Sequence, residues 1–252
     1  MRVNLHGQVV LVTGATGGIG IAIARHLSEA GATIAIQYHK HREIAEELQQ
    51  SAGNDAQVFE ADLDDLRQTE RLFEEVVTRY GRVDTLINSA GIYLPSRLEK
   101  NTGAWLEDWQ RTIRINLTSA SLLCRLAIIH FKKHGGGRII NIASRAAFRG
   151  DTEEYLAYAA SKGGLVALTR TIARAYGKEN VKAFVVAPGF VRTPMVDDFI
   201  RAHGEETIVN EIALNRMTEP DDVAPTVVFL ASGMMDHATG CTVDINAGSY
   251  MR

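Results

Sequence analysis

Short runs rich in β-branched and other apolar residues alternate along the chain with longer stretches whose apolar positions recur at helical spacing. "QVVLVT" (8–13), "TIAIQY" (33–38), "QVFEA" (57–61), "DTLINS" (84–89), "GRIINIA" (137–143), "VKAFVVA" (181–187) and "CTVDIN" (241–246) read as strands. They are mostly apolar without strict alternation, as expected of strands covered on both faces. Amphipathic helical patterns fall near 18–30, 41–52, 65–80, 105–133, 156–177 and 221–232. Seven strands separated by six helical patterns predict an α/β fold with one doubly wound, mainly parallel seven-stranded sheet and helices on both faces. No linker, low-complexity tract or repeat breaks the alternation, so residues 1–252 are expected to form a single domain. The longest segment outside it, 188–220, carries "PMVDDFIRAHGEETIVNEIALNRM". Insertions beyond a strand's carboxyl end cover ligands in open α/β sheets, so a helical, mobile substrate flap is expected there.

Composition narrows the classes. The chain has 252 residues, 46% hydrophobic and 23% charged, enough apolar mass to bury a full core. A net charge of −3 leaves no basic field of the kind that dominates nucleic-acid binding. Cys124 and Cys241 are the only cysteines, and both are expected as reduced core residues. The opening "MRVNLHGQVVLVTG" lacks an apolar region followed by a cleavage site. No apolar run approaches the roughly 20 residues needed to cross a bilayer. A soluble, cytoplasmic protein with neither membrane nor nucleic acid as partner is expected.

Candidate chemistry begins where the first strand meets the first helix, in "LVTGATGGIGIAIARHL" (11–27). Gly14, Gly18 and Gly20 allow a tight turn, close backbone approach and close helix–strand packing. The helix start then offers free N–H groups and a positive dipole end to a pyrophosphate. A glycine-rich turn at this place in a βαβ unit is the context a dinucleotide fingerprint requires, so the sheet is expected to be Rossmann-type. NAD-preferring sites put an acid at the end of the second strand to bind the ribose 2′-hydroxyl. Here Tyr38 stands at that place in "IQYHKHRE", followed by His39, Lys40, His41 and Arg42. Nothing there repels a 2′-phosphate and cations can bind it, so NADP(H) is expected over NAD(H). The alternative is a solvated, lysine-bearing loop at a helix start.

Further along stand "NSAG" (88–91), Asn116 in "RINLTSA", Ser144 in "NIAS", "YAASK" (158–162) and "PGFVRTP" (188–194). With "TGATGGIG" (13–20) they form six motifs in order, and together they resemble the short-chain dehydrogenase/reductase family along essentially the whole chain. The style is closest to 3-oxoacyl-(acyl-carrier-protein) reductases and related sugar or alcohol dehydrogenases. The resemblance implies Tyr158 as general acid/base, Lys162 as its activator and ribose ligand, Ser144 as holder of the substrate carbonyl, and Asn116 as support for a water-linked proton relay. It implies cofactor contacts from the turn (Gly14, Thr16, Gly18, Ile19, Gly20) and from Tyr38, His39 and Lys40. Asp62 and Leu63 would serve the adenine, and Asn88, Ala90 and Gly91 would lie near the cofactor. Pro188, Gly189, Val191 and Thr193 would lie near the nicotinamide, with Thr193 bonding its carboxamide. It further implies a small carbonyl or alcohol substrate, carried on an acyl carrier or free, and a homotetramer. A non-catalytic dinucleotide-sensing protein is the rival, but such a protein should lack part of this tetrad.

These residue types suit the chemistry. Hydride reduction of a ketone creates a developing alkoxide that needs a proton and hydrogen-bond donors. A tyrosine supplies the proton when a nearby cation stabilises its phenolate. In "TEEYLAYAASKGG" (152–164) Lys162 is four residues past Tyr158, on the same helix face and leaning back toward it. Tyr155 is seven residues away, too far along the axis to share that ammonium, and is expected at most as a wall of the substrate mouth. The Ser144–Tyr158 spacing is one residue longer than is usual in the family, and the extra residue is placed in "RAAFRGDTEE". Arg145, Arg149 and Arg192 are candidates for an anionic substrate or an acidic carrier, against ordinary surface charge or subunit contacts. Tyr93, Leu94, Phe148, Phe190 and Met195 are candidate substrate walls. His130 and His134 form an i, i+4 pair without a third ligand, better explained as cations at a helix C-terminus, so no metal is expected. The apolar end of "DINAGSYMR" is expected to be buried against the core or a neighbouring subunit.

Overall fold

The computed structural model describes residues 3–251, apart from the side chains of residues 198, 199, 202 and 203. All seven predicted strands form: β1 (Val9–Thr13), β2 (Thr33–Tyr38), β3 (Gln57–Glu60), β4 (Thr85–Asn88), β5 (Gly137–Ile142), β6 (Val181–Pro188) and β7 (Thr242–Ile245). They make one parallel sheet in the order β3-β2-β1-β4-β5-β6-β7. The helices are α1 (Gly18–Glu29), α2 (Arg42–Ala52), α3 (Leu66–Tyr80), α4 (Thr102–Ile113), α5 (Ser119–Lys133), α6 (Ala146–Arg149), α7 (Leu156–Tyr176), α8 (Pro194–His203), α9 (Glu205–Val209) and α10 (Pro220–Ala231).

The missing alternation in the strands has a direct cause. In β1, Val10 and Val12 enter one core with Ile23, Leu27 and Val227 of α1 and α10, while Leu11 enters the other with Leu72, Leu123 and Phe131 of α3 and α5. β1 therefore buries both its faces, and every one of its residues is buried, whereas the edge strands β3 and β7 are only partly covered. Local signals set the helix ends. Asp65 caps α3 by accepting the Arg67 N–H at 2.8 Å, and Gly81 closes it in the left-handed region at φ +73°. Glu219 and Asp222 form a capping box at α10, with Pro220 in its first turn.

The helix predicted over 105–133 is α4 and α5 joined through a π turn, Arg114–Thr118. The joined helix, Thr102–Lys133, is long and apolar enough to meet a length-and-composition criterion for a membrane span, which corrects the sequence expectation. Its apolarity serves the core, because Leu123, Cys124, Ala127 and Phe131 pack against β4 and β5 residues. Cys124 is buried and Cys241 only partly so, and the two are not joined in a disulfide. His130 is not a helix-end cation: it is buried, its Nε2 accepts the Val83 N–H at 3.1 Å, and burial lowers its pKa. The 188–220 segment is helical as expected, contributing α8 and α9. At the C-terminus, Tyr250 stacks toward Phe148 with ring centroids 6.4 Å apart, while Met251 is exposed.

Candidate active site

Strand order reverses between β1 and β4, and their carboxyl ends open a crevice there. The turn after β1 leaves no room for side chains. At Gly14, with φ +62°, an added Cβ would lie 2.7 Å from the Ala90 Cα, and at Gly20 it would lie 2.1 Å from the Gly14 carbonyl oxygen. Gln37 anchors the turn: its Oε1 accepts the Gly14 N–H at 2.7 Å, and its Nε2 donates to the Ala61 carbonyl at 2.8 Å. Thr13 Oγ1 accepts the N–H groups of Ser89 and Ala90, each at 3.2 Å, tying the turn to the end of β4. The start of α1 has no side-chain cap and no acid in its first turn, so its N–H groups stay available to an anion. Thr193 closes the other side, since a Cβ on Gly18 would lie 2.5 Å from its Cγ2. A cradle of bare backbone at an uncapped helix start fits a pyrophosphate.

The ribose end differs in detail from expectation. Tyr38 is buried, and its hydroxyl donates to Glu60 Oε2 at 3.0 Å, so its side chain belongs to the core. His39 and Lys40 are exposed beside it. His39 Nε2 lies 3.6 Å from Asp62 Oδ2, and Asp62 Oδ1 accepts the Asp64 N–H at 2.9 Å. Leu63 is buried. Asn88 turns inward, its Nδ2 donating to Asn141 Oδ1 at 2.8 Å, so its side chain bridges core strands rather than facing the crevice.

The four tetrad residues converge from three segments, Tyr158 and Lys162 sharing α7. Ser144 follows β5, and its Oγ accepts the Ala146 N–H at 3.1 Å. Its side chain acts on the Tyr158 phenol, favouring the ionised form. The longer Ser144–Tyr158 spacing does not separate the pair: α6 and a 3₁₀ turn, Glu153–Tyr155, take up the extra length. Lys162, one turn along α7, is 4% exposed and donates from Nζ to the Ile142 carbonyl at 2.9 Å. The ammonium lies 5.7 Å from the centre of the Tyr158 ring. Burial pushes the Tyr158 phenol up to about 12, opposed by the neighbouring Ser144. Burial also pulls the Lys162 ammonium down to about 8.

Asn116 sits in the π turn, a distortion that recurs at functional sites. Its Oδ1 accepts the Ile92 N–H at 2.8 Å, and its Nδ2 donates to the Ile92 carbonyl at 2.9 Å and to Ser161 Oγ at 3.2 Å. Gly91 threads between the two polar groups, where a Cβ would lie 3.4 Å from both Asn116 Oδ1 and Lys162 Nζ.

A cavity of about 250 Å³ opens onto Ser144 and Tyr158. Ile19, Pro188, Gly189, Val191 and Thr193 line its cradle side. Of the expected walls, Tyr93, Phe190 and Met195 line it and Leu94 and Phe148 do not. Tyr155 stacks on the far side of Tyr93, with ring centroids 3.6 Å apart. Arg145 and Arg149 line the cavity. Arg192 instead pairs with Glu205 and with Glu219. Asp151 and Glu211 also line it and have no motif around them to single them out. Gln37 did carry a signal, a polar residue in the apolar run "TIAIQY".

A Rossmann-type sheet with this cradle and a Ser–Tyr pair lining one cavity before a buried lysine defines a nicotinamide-dependent oxidoreductase. The family model described as "Enoyl-(Acyl carrier protein) reductase" matches residues 14–249. A 3-oxoacyl-[acyl-carrier-protein] reductase of Aquifex aeolicus is 32% identical, over 99% of this chain and 100% of its own length. A 7alpha-hydroxysteroid dehydrogenase of Bacteroides fragilis is 31% identical, over 97% and 95%. The crystal structure of a short chain dehydrogenase from Burkholderia cenocepacia in complex with NADP superposes with a TM-score of 0.89 at 30% identity, covering 98% of this chain and 99% of that one. The chain belongs to the short-chain dehydrogenase/reductase family.

Proposed function

We propose that the chain is an NADP(H)-dependent oxidoreductase that transfers a hydride between nicotinamide and a carbonyl or secondary alcohol. The observation that carries this reading is the Ser144–Tyr158 pair lining one cavity, with Lys162 buried one turn further along α7. The backbone cradle from Gly14 to Gly20, with Lys40 at the ribose end and Thr193 opposite, would hold the cofactor. Bound NADPH supplies the hydride.

The chain's own groups handle the oxygen. Ser144 and Tyr158 present hydroxyl donors to the substrate carbonyl, where negative charge develops. A phenol held near 12 keeps its proton at neutral pH and so stays ready as the acid. As the proton leaves Tyr158 Oη, the Lys162 ammonium stabilises the phenolate in a site where little water screens the attraction. Asn116 grips the Ile92 peptide through both its amide atoms and so fixes Gly91 against Lys162; a proton path past the lysine would run there.

The preference for NADP(H) is supported by a β2 end without an acid of its own and by exposed His39 and Lys40. Lys40 is engaged by no ion pair among the described residues. A 3-oxoacyl thioester, carrier-bound or free, is supported by the resemblance and by the name of the Aquifex aeolicus relative. A second reading, a sugar or small-alcohol dehydrogenase, is favoured by the modest cavity and its charged lining. The resemblance also supports a cytoplasmic homotetramer. Tyr158→Phe tests the assignment. It is expected to lower turnover by at least about 10²-fold with NADPH binding little changed; near-normal turnover, or a native enzyme that prefers NADH, overturns the corresponding part.

A further inference from the structure

We infer that the substrate carries a free carboxylate, bound by Arg145 beside the reacting carbonyl. This rests on the hydride-transfer reading and, within it, replaces the 3-oxoacyl thioester by a small free acid.

Arg145 directly follows Ser144 and lines the same cavity as Ser144 and Tyr158. It is 8% exposed, with its guanidinium 4.3 Å from the centre of the Phe190 ring. Its Nη2 donates to Glu211 Oε2 at 3.3 Å, whereas its Nη1 is buried with no hydrogen-bond partner. An unpaired donor on a buried charge is costly, and folds keep such a group where a ligand completes it. Glu211 does not complete it. That carboxylate lies on the exposed rim and is shared with Arg149, also at 3.3 Å, so one anion faces two guanidiniums.

The chemistry selects a carboxylate. A guanidinium fork matches two carboxylate oxygens in one plane, and Arg145 lines the cavity that Ser144 and Tyr158 also line, with one fork nitrogen unpartnered. Phosphate, with its higher charge, would meet Asp151 and Glu211 in the same lining. Tyr93 donates to Asp151 Oδ1 at 3.2 Å, so that carboxylate already holds a donor of its own. About 250 Å³ suits an oxo acid or hydroxy acid of a few carbons. The reaction balances as before: hydride to the carbonyl carbon, proton from Tyr158 to its oxygen, carboxylate unchanged.

The test follows NADPH consumption with short oxo acids bearing the ketone at the second, third or fourth carbon, each paired with its methyl ester. At least one acid should exceed its ester in kcat/KM by about 10-fold or more. In Arg145→Met that ratio should fall by about 10- to 100-fold, chiefly through KM for the acid. Arg145→Lys should recover part of it, and Glu211→Gln, which removes the competing anion, should lower KM for the acid. Esters reduced as well as acids, or a preference that survives Arg145→Met, would sink the inference and leave hydride transfer standing. So would an equal rise in KM for acid and ester, because that marks Arg145 as a staple for the 188–220 segment. No reduction of any acid or ester by protein that binds NADPH counts against both readings.

Discussion

The two sides of the crevice are built on opposite principles. At the cradle the surface is backbone: bare glycines, an uncapped helix start, and polar side chains such as Gln37 and Thr13 that hold the turn from behind. Across the crevice the surface is side chain: Arg145, Arg149, Asp151, Tyr93 and Glu211 converge from three separate segments. A backbone surface reads the phosphates common to every nucleotide and tolerates no substitution. A side-chain surface tolerates substitution and reads one substrate. The family's reach, from acyl-carrier reductases to hydroxysteroid dehydrogenases, fits that division of labour.

The sharpest break in the comparison is Gly20→Ala. Its methyl group would fall 2.1 Å from the Gly14 carbonyl, backbone that Gln37 holds in place. Relief requires moving the turn, at a cost of about 3 kcal/mol or more. NADPH affinity, followed by fluorescence, should drop at least about 100-fold. Unchanged affinity would show that the cradle deforms as easily as the side-chain wall.

This asymmetry also explains what could be read in the sequence. Strands and helices were legible because the central strands, β1 above all, are apolar on both faces and the helices between the strands keep a helical period. The cradle was legible because glycine is the only residue that fits its contacts. The tetrad was legible through a family pattern of residue types in order. The inward turn of Asn88 was not, since it depends on Asn141 in a strand far along the chain. Nor was the burial of Tyr38, which depends on Glu60 standing opposite it across the sheet. The π turn at Asn116 has no local signature. Asp151 and Glu211 reach the cavity only through the path of two irregular segments, and no spacing rule connects them to Ser144.

Lys162 joins the two sides, and Lys162→Met separates its function from its cost. Turnover should fall by about 10²-fold or more. Stability should move the other way at neutral pH, because burial disfavours the ammonium. The sign follows from its pKa, about 8 in the folded chain against an ordinary 10.5. Between those values the unfolded chain binds more protons than the folded one, so the native protein gains stability as pH rises. The variant lacks that gain, and its advantage should be largest below pH 8 and shrink toward pH 10.5. Tyr158 is present in both proteins, so its own titration largely cancels in the difference. Urea unfolding of both proteins at several pH values measures the gap; a constant or widening gap overturns the account.

The smallest effect expected is at Tyr155, and it tests whether the two tyrosines of "TEEYLAY" do different work. Tyr155 caps the start of α7 from outside the helix, stacked at 3.6 Å and 6° on Tyr93. Tyr93 in turn meets Tyr158 edge-on at 4.8 Å and 87°. Tyr155 therefore acts on the reaction only through a wall that touches the acid. Tyr155→Phe preserves the stacked ring and should leave turnover within about 2-fold, against the 10²-fold expected for the same change at Tyr158. Tyr155→Ala removes the stack, worth about 0.5–1.5 kcal/mol beyond the area buried. It should show mainly as lower stability and a several-fold higher KM, with kcat nearly kept. A loss in Tyr155→Phe approaching that of Tyr158→Phe would put the wrong tyrosine at the centre of the mechanism, and the hydroxyl rather than the ring of Tyr155 would then be the group to explain.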